Sequence, residues 1–77
     1  MTTRNYLIDT VAEVQSFVKT ANAVPFAVTV KQGNYVVDGK SILGLYSLNL
    51  TRPVFVEFPE EGDMELFDKE LRREKSN

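Results

Sequence analysis

The sequence predicts a two-layer α+β domain: a four-stranded antiparallel sheet with three helices on one face, in the order β-α-β-β-α-β-α. Three observations predict it. A length of 77 residues allows one small core. Phe26, Val28 and Val30 alternate with Ala27, Thr29 and Lys31, the period of a strand with one buried face, and Val54–Phe58 reads as another strand. Apolar residues recur at intervals of three and four around Val14–Ala21 and Met64–Leu71, the period of a helix with one buried stripe. Elements with one apolar face each must bury them against one another, which gives two layers. Residues 1–77 read as a single domain, with no internal repeat, linker or low-complexity tract.

The first strand ends in Tyr6-Leu7-Ile8, where a polar segment turns apolar. Thr10-Val11-Ala12-Glu13 follows as a capping box: the Thr10 hydroxyl accepts from the Glu13 amide, and the Glu13 carboxylate reaches back to the Thr10 amide. Val11, Val14, Phe17, Val18 and Ala21 then share a helix face, and Asn22 and Pro25 stop the helix. Phe26, Val28 and Val30 alternate with Ala27, Thr29 and Lys31. The Gln32-Gly33-Asn34 turn and the return strand Tyr35-Val36-Val37 make residues 26–37 a hairpin. After the Asp38-Gly39 turn, Ser41 is a good N-cap for a short helix over 42–48, and Asn49 is expected as its left-handed cap. Pro53 leads into the fourth strand, Val54-Phe55-Val56-Glu57-Phe58. Glu60-Glu61-Gly62-Asp63 turns into the last helix, where Met64, Phe67 and Leu71 line one face with Leu66 beside them. Acids at its start and Arg72, Arg73 and Lys75 at its end suit the helix dipole.

Composition excludes several chemistries. Hydrophobic residues make up 43% and charged residues 26%, an ordinary globular balance. With no cysteine there is neither a disulfide framework nor a thiolate metal site. With no histidine there is no Ser/His/Asp or Cys/His arrangement. A net charge of −2 and the lack of a basic aromatic strand motif argue against a nucleic-acid partner. No apolar run approaches the ~18 residues of a membrane span, and Met1-Thr2-Thr3-Arg4-Asn5 lacks the apolar stretch of a signal peptide. A cytoplasmic setting is therefore expected. Gly39-Lys40-Ser41 imitates the end of a phosphate-binding loop, but that pattern needs glycine where Asn34 stands. The acids Glu57, Glu60, Glu61 and Asp63 lack the spacing of a calcium loop and read as a solvated turn and helix start. No metal and no cofactor are expected.

The most specific stretch is Lys40-Ser41-Ile42-Leu43-Gly44-Leu45-Tyr46-Ser47-Leu48. It resembles the second-helix segment of HPr, the histidine-containing phosphocarrier family of the sugar phosphotransferase system, where a Lys-Ser-Ile-Met-Gly-Val-Met-Ser-Leu type of run occurs. The likeness runs without gaps from the first helix to Phe58. It implies the HPr-like open-faced β-sandwich. It also places the family's phosphorylated histidine at Thr10, its arginine at Ala12 and its proline at Glu13. This chain has lost all three, and resembles the histidine-less Crh type of that family. Imidazole is neutral near pH 7 and releases a phosphoryl group readily. A threonine phosphate ester does not, Ala12 offers no cation to a transferring phosphoryl, and Glu13 adds a negative charge. Thr10, Ala12 and Glu13 are thus a degenerate relay site, and the chain is expected to be neither an enzyme nor a phosphocarrier.

What the resemblance leaves is the second helix. In many HPr proteins the serine matching Ser41 is phosphorylated by a dedicated kinase. Ser41 is equally suited to capping its helix and nothing more, a role worth about 1 kcal/mol. Ile42, Leu43 and Tyr46 share a helix face, and the matching HPr residues dock on partner proteins beside the residue matching Lys40. The expected function is therefore regulatory or adaptor work through protein contacts. The implied partners are a phosphotransferase component, an HPr kinase or a transcriptional regulator, and the chain would be a monomer or weak homodimer. The alternative is a structural or oligomerisation module with the HPr fold and no role in sugar transport.

Overall fold

The elements are β1 (Thr2–Tyr6), α1 (Val11–Ala23), β2 (Thr29–Gln32), β3 (Tyr35–Asp38), α2 (Ile42–Tyr46), β4 (Val54–Phe58) and α3 (Glu61–Lys75). They come from a computed structural model that describes residues 1–76. The order is the one the sequence predicts. The strands form one sheet, β1-β4-β2-β3, antiparallel throughout.

Register decides which side chains meet the helices. Arg4, Val56, Val30 and Val37 form one cross-strand row, and the neighbouring row is Asn5, Phe55, Lys31 and Val36. Successive residues point to opposite faces. Val30, Val54, Val56 and Phe58 are buried beneath the helices, while Phe55 and Val36 stay exposed on the far side. Lys31 pairs with Glu57 across that far face at 2.9 Å. The core is aromatic at its centre: Phe17 of α1 meets Phe67 of α3 edge-on at 5.1 Å between centroids, and Phe67 meets Phe58 of β4 at 5.2 Å. Such pairs add to the area that they bury.

Several details differ from the sequence reading. β1 ends at Tyr6 rather than Ile8, α2 ends at Tyr46 rather than at residue 48, and α3 already begins at Glu61, inside the expected turn. The ladder of β2 begins at Thr29, although Val28 is buried and Phe26 packs on Phe58. Apolar alternation reports burial, and Pro25 bends the chain before the ladder starts. Val11 is 61% exposed, because the first turn of α1 projects beyond the core. Asn49 is no left-handed cap, since among the described residues no non-glycine residue has positive φ. Its side chain instead accepts from the Thr51 amide and hydroxyl, an Asx turn that closes the loop after α2. A further difference concerns Glu13 and belongs to the site below.

Candidate functional site

The sequence directs attention to two helix starts, and the fold sets them far apart. At the first, Thr10 has extended backbone and its Oγ1 accepts from the Glu13 amide at 3.1 Å. The reciprocal half of the capping box is replaced. The Glu13 carboxylate turns to the Lys75 ammonium of α3 at 2.7 Å, an ion pair that ties the two helices. This helix start presents an exposed Ala12, which carries no charge, and a carboxylate already paired with Lys75. The arrangement holds the start of α1 against the end of α3.

At the second, a polar frame sets α2 on the edge of the sheet. The Asp38 carboxylate accepts from the Lys40 amide at 2.9 Å, and the Asp38 carbonyl accepts from the Ser41 amide at 3.0 Å. Asn22 of α1 donates to the Lys40 carbonyl at 3.1 Å. Ser41 then caps the helix, its Oγ accepting from the Gly44 amide at 3.0 Å. On the far side of α2, the Gln32 amide group grips the Asn49 backbone, donating to its carbonyl and accepting from its N–H, each at 2.8 Å. Gly44 permits the close seat on β3: a Cβ there would stand 3.2 Å from the Val37 Cβ. Asn22 sits at the C-terminal end of α1 and Thr10 at its N-terminal end, about 18 Å along the axis. Ser41 and Thr10 therefore do not share a site.

A helix of five residues has few sides to bury. Leu45 is fully buried and Leu48 nearly so, which leaves Leu43 at 79% exposure, Tyr46 at 47% and Ile42 at 39%. Lys40 and Ser41 flank them. The result is an apolar patch on a braced helix, with a hydroxyl at its edge that solvent can reach. Such a patch suits recognition of another protein. Among the described residues, no cluster of three or more His, Cys, Asp or Glu could hold a metal, and no helix is long and apolar enough to cross a membrane.

No protein-family model matches the sequence, and no curated protein matches it. Among solved structures, the crystal structure of HPr-C-His from Thermoanaerobacter tengcongensis superposes with a TM-score of 0.75. The match covers 100% of this chain and 98% of that one, at 21% sequence identity. The fold is HPr-like. At this identity the likeness speaks for architecture alone.

Within the HPr-like fold, several supporting residues escaped the sequence reading. Asn22 and Gln32 brace α2 through backbone groups distant in sequence, whereas Asp38 acts on Lys40 two residues on and carries a local turn signal. A second polar cluster lies away from the site. Arg4 and the Tyr6 hydroxyl both donate to the carboxylate of Asp68, which is buried on α3. Burial raises the Tyr6 hydroxyl pKa far above its ordinary value. The hydrogen bond to Asp68 and that carboxylate's charge add to the rise, and Arg4 offsets part of it.

Proposed function

We propose that this chain is a histidine-less, HPr-like regulatory or adaptor protein of the phosphotransferase system, resembling the Crh type. It acts through contacts made by Lys40, Ile42, Leu43 and Tyr46, and Ser41 switches those contacts. The observation that supports this most is the exposed Ile42/Leu43/Tyr46 patch on a helix braced at both ends. Exposing apolar surface beside a small core is unfavourable unless a partner covers it. The absence of histidine and the filled helix start at Thr10, Ala12 and Glu13 leave no relay for phosphate.

Phosphorylation of Ser41 would place a dianion at the start of α2, beside Lys40 and next to the apolar patch. It would also face the Asp38 carboxylate, which holds the Lys40 amide. The modified hydroxyl would thus change both the charge of the docking surface and the bracing of its helix.

The test uses two incubations. With an HPr kinase and ATP, intact-mass spectrometry should show one phosphate, mapped to Ser41 and absent from Ser41→Ala. An unmodified protein removes the switch and leaves a constitutive adaptor. With phosphoenolpyruvate and the first enzyme of the phosphotransferase system, no acid-labile phosphate should appear. Any such label overturns the reading.

A further inference from the structure

The two edges of the sheet differ. β1 is polar over most of its length and includes Arg4, whereas β3 is Tyr35-Val36-Val37 with one charge at its end, Asp38. Tyr35 is 63% exposed and Val36 62%. Charge and polarity guard an edge against pairing with another strand, and β3 has little of either.

The β2–β3 turn fixes which groups this edge offers. Gly33 has φ 59° and Asn34 has no positive φ, which makes a type II′ hairpin turn. Its closing bond runs from the Tyr35 N–H to the Gln32 carbonyl. Main-chain groups alternate in direction along an antiparallel strand. Tyr35 and Val37 therefore bond to β2, while Val36 and Asp38 direct theirs outward. The Asp38 carbonyl takes the Ser41 amide. The edge thus presents the Val36 N–H, the Val36 carbonyl and the Asp38 N–H.

We propose that this edge pairs antiparallel with β3 of a second copy, about a two-fold axis through Val36. Such an axis must relate equivalent residues, so within this strand it passes Val36 or Val37. At Val37 it sets an apolar Val36 against a charged Asp38. At Val36 it sets Val36 against Val36, Tyr35 against Val37 and Asn34 against Asp38. Apolar meets apolar, and an amide meets a carboxylate. Each Val36 N–H donates to the other Val36 carbonyl, and each Asp38 N–H donates to the other copy's Asn34 carbonyl.

Shape agrees with this register. Near the Asp38 end of the strand lies a concavity of about 350 Å³, lined by Ala27, Thr29, Val36, Asp38 and Lys40 among others. At the other end the Gly33-Asn34 turn projects into solvent. The axis brings the turn of each copy against the concavity of the other. A segment that complements itself in this way favours a second copy over an unrelated extended peptide. The contact is small, short of the ~1,200 Å² at which specific stable interfaces begin, so it forms at high protein concentration. It does not use the α2 patch and stands apart from the function proposed above.

Cross-linking and sedimentation test it. In a hydrogen-bonded antiparallel pair the Cα atoms lie about 5.5 Å apart, within reach of a disulfide. Under mild oxidant, Val36→Cys should form a covalent dimer at least about tenfold faster than Leu43→Cys, whose thiol is more accessible. In sedimentation equilibrium, the average mass of the unmodified protein should rise as concentration approaches roughly 1 mM. Val36→Lys should abolish the rise by setting like charges across the axis, with an unchanged far-UV spectrum. Equal oxidation rates, no rise in mass, or a rise that survives Val36→Lys would each overturn the proposal.

Discussion

Asp68 is the residue whose role the sequence hides most fully. It stands in α3 one turn after Met64, directly after Phe67, and at helical spacing from Leu71, where an aliphatic side chain would be expected. Its burial is tolerated because Arg4 and Tyr6 satisfy both carboxylate oxygens. No local signal reveals this, because the partners lie more than sixty residues away in the chain. Tyr6 serves two ends at once: its ring packs edge-on against Phe17 and Phe67, and its hydroxyl anchors β1 to α3. Tyr6→Phe keeps the ring and removes one hydrogen bond to a charged acceptor, so it should cost about 1.5–3 kcal/mol in urea unfolding. Burial raises the pKa of the Tyr6 hydroxyl in the folded protein, so unfolding makes it a stronger acid. Its contribution is therefore complete below about pH 10, the ordinary tyrosine value, and fades as pH rises above that. Unfolding free energies measured from pH 8 to 11 should fall less steeply for Tyr6→Phe than for the unmodified protein. Equal slopes would show that the hydroxyl is not buried against Asp68.

At the scale of elements, α2 is held by geometry more than by its own propensity. Five residues form too short a helix to persist alone. Its place depends on two glycines with ordinary φ. At Gly39 an added Cβ would stand 2.7 Å from the Val28 Cγ1 and 3.0 Å from the Val28 carbonyl oxygen, in a loop held by the Gly39 N–H bond to that carbonyl. At Gly44 it would stand 3.2 Å from the Val37 Cβ and 3.3 Å from Ser41. Alanine at either position gains about 0.5–1 kcal/mol of backbone preference. At Gly39 the collision with fixed backbone outweighs that gain, and at Gly44 the two effects come closer to balance. Gly39→Ala should therefore lower the thermal midpoint more than Gly44→Ala, and circular dichroism melts of both variants check the order. A reversed order would mean that α2 does not rest on Val37 as described. Sequence shows the caps of this region well, because Thr10 and Ser41 act within three residues of their partners. It does not show why Glu13 leaves its capping box for Lys75, or how Gln32 and Asn22 brace α2. Those bonds exist only once the chain has folded back on itself.

For the molecule as a whole, the separation between core and surface decides which substitutions can report on function. A domain of 77 residues has roughly 4–12 kcal/mol of stability at 0.05–0.15 kcal/mol per residue. Periodicity in the sequence identified most of this core, because Val56 and Phe58 on β4 and Phe17 and Phe67 on the helices keep their expected faces. Phe58 touches the rings of Tyr6, Phe26 and Phe67 and is fully buried. It joins the aromatic groups of both long helices and the sheet. Phe58→Ala should remove about 3–5 kcal/mol through lost burial and the cavity left behind. In a domain of this size that lowers the thermal midpoint by at least about 12 °C, and at the lower bound of stability it unfolds the protein outright. Leu43→Ala removes a side chain that is 79% exposed and should change stability by no more than about 0.5 kcal/mol. The pair makes a control for any binding experiment. A partner interaction lost in Leu43→Ala with an unchanged melt belongs to the α2 surface, whereas the same loss in Phe58→Ala reports only the missing fold. If Leu43→Ala instead melts early, Leu43 is packed into the core, and the α2 patch is too small to serve as a docking surface.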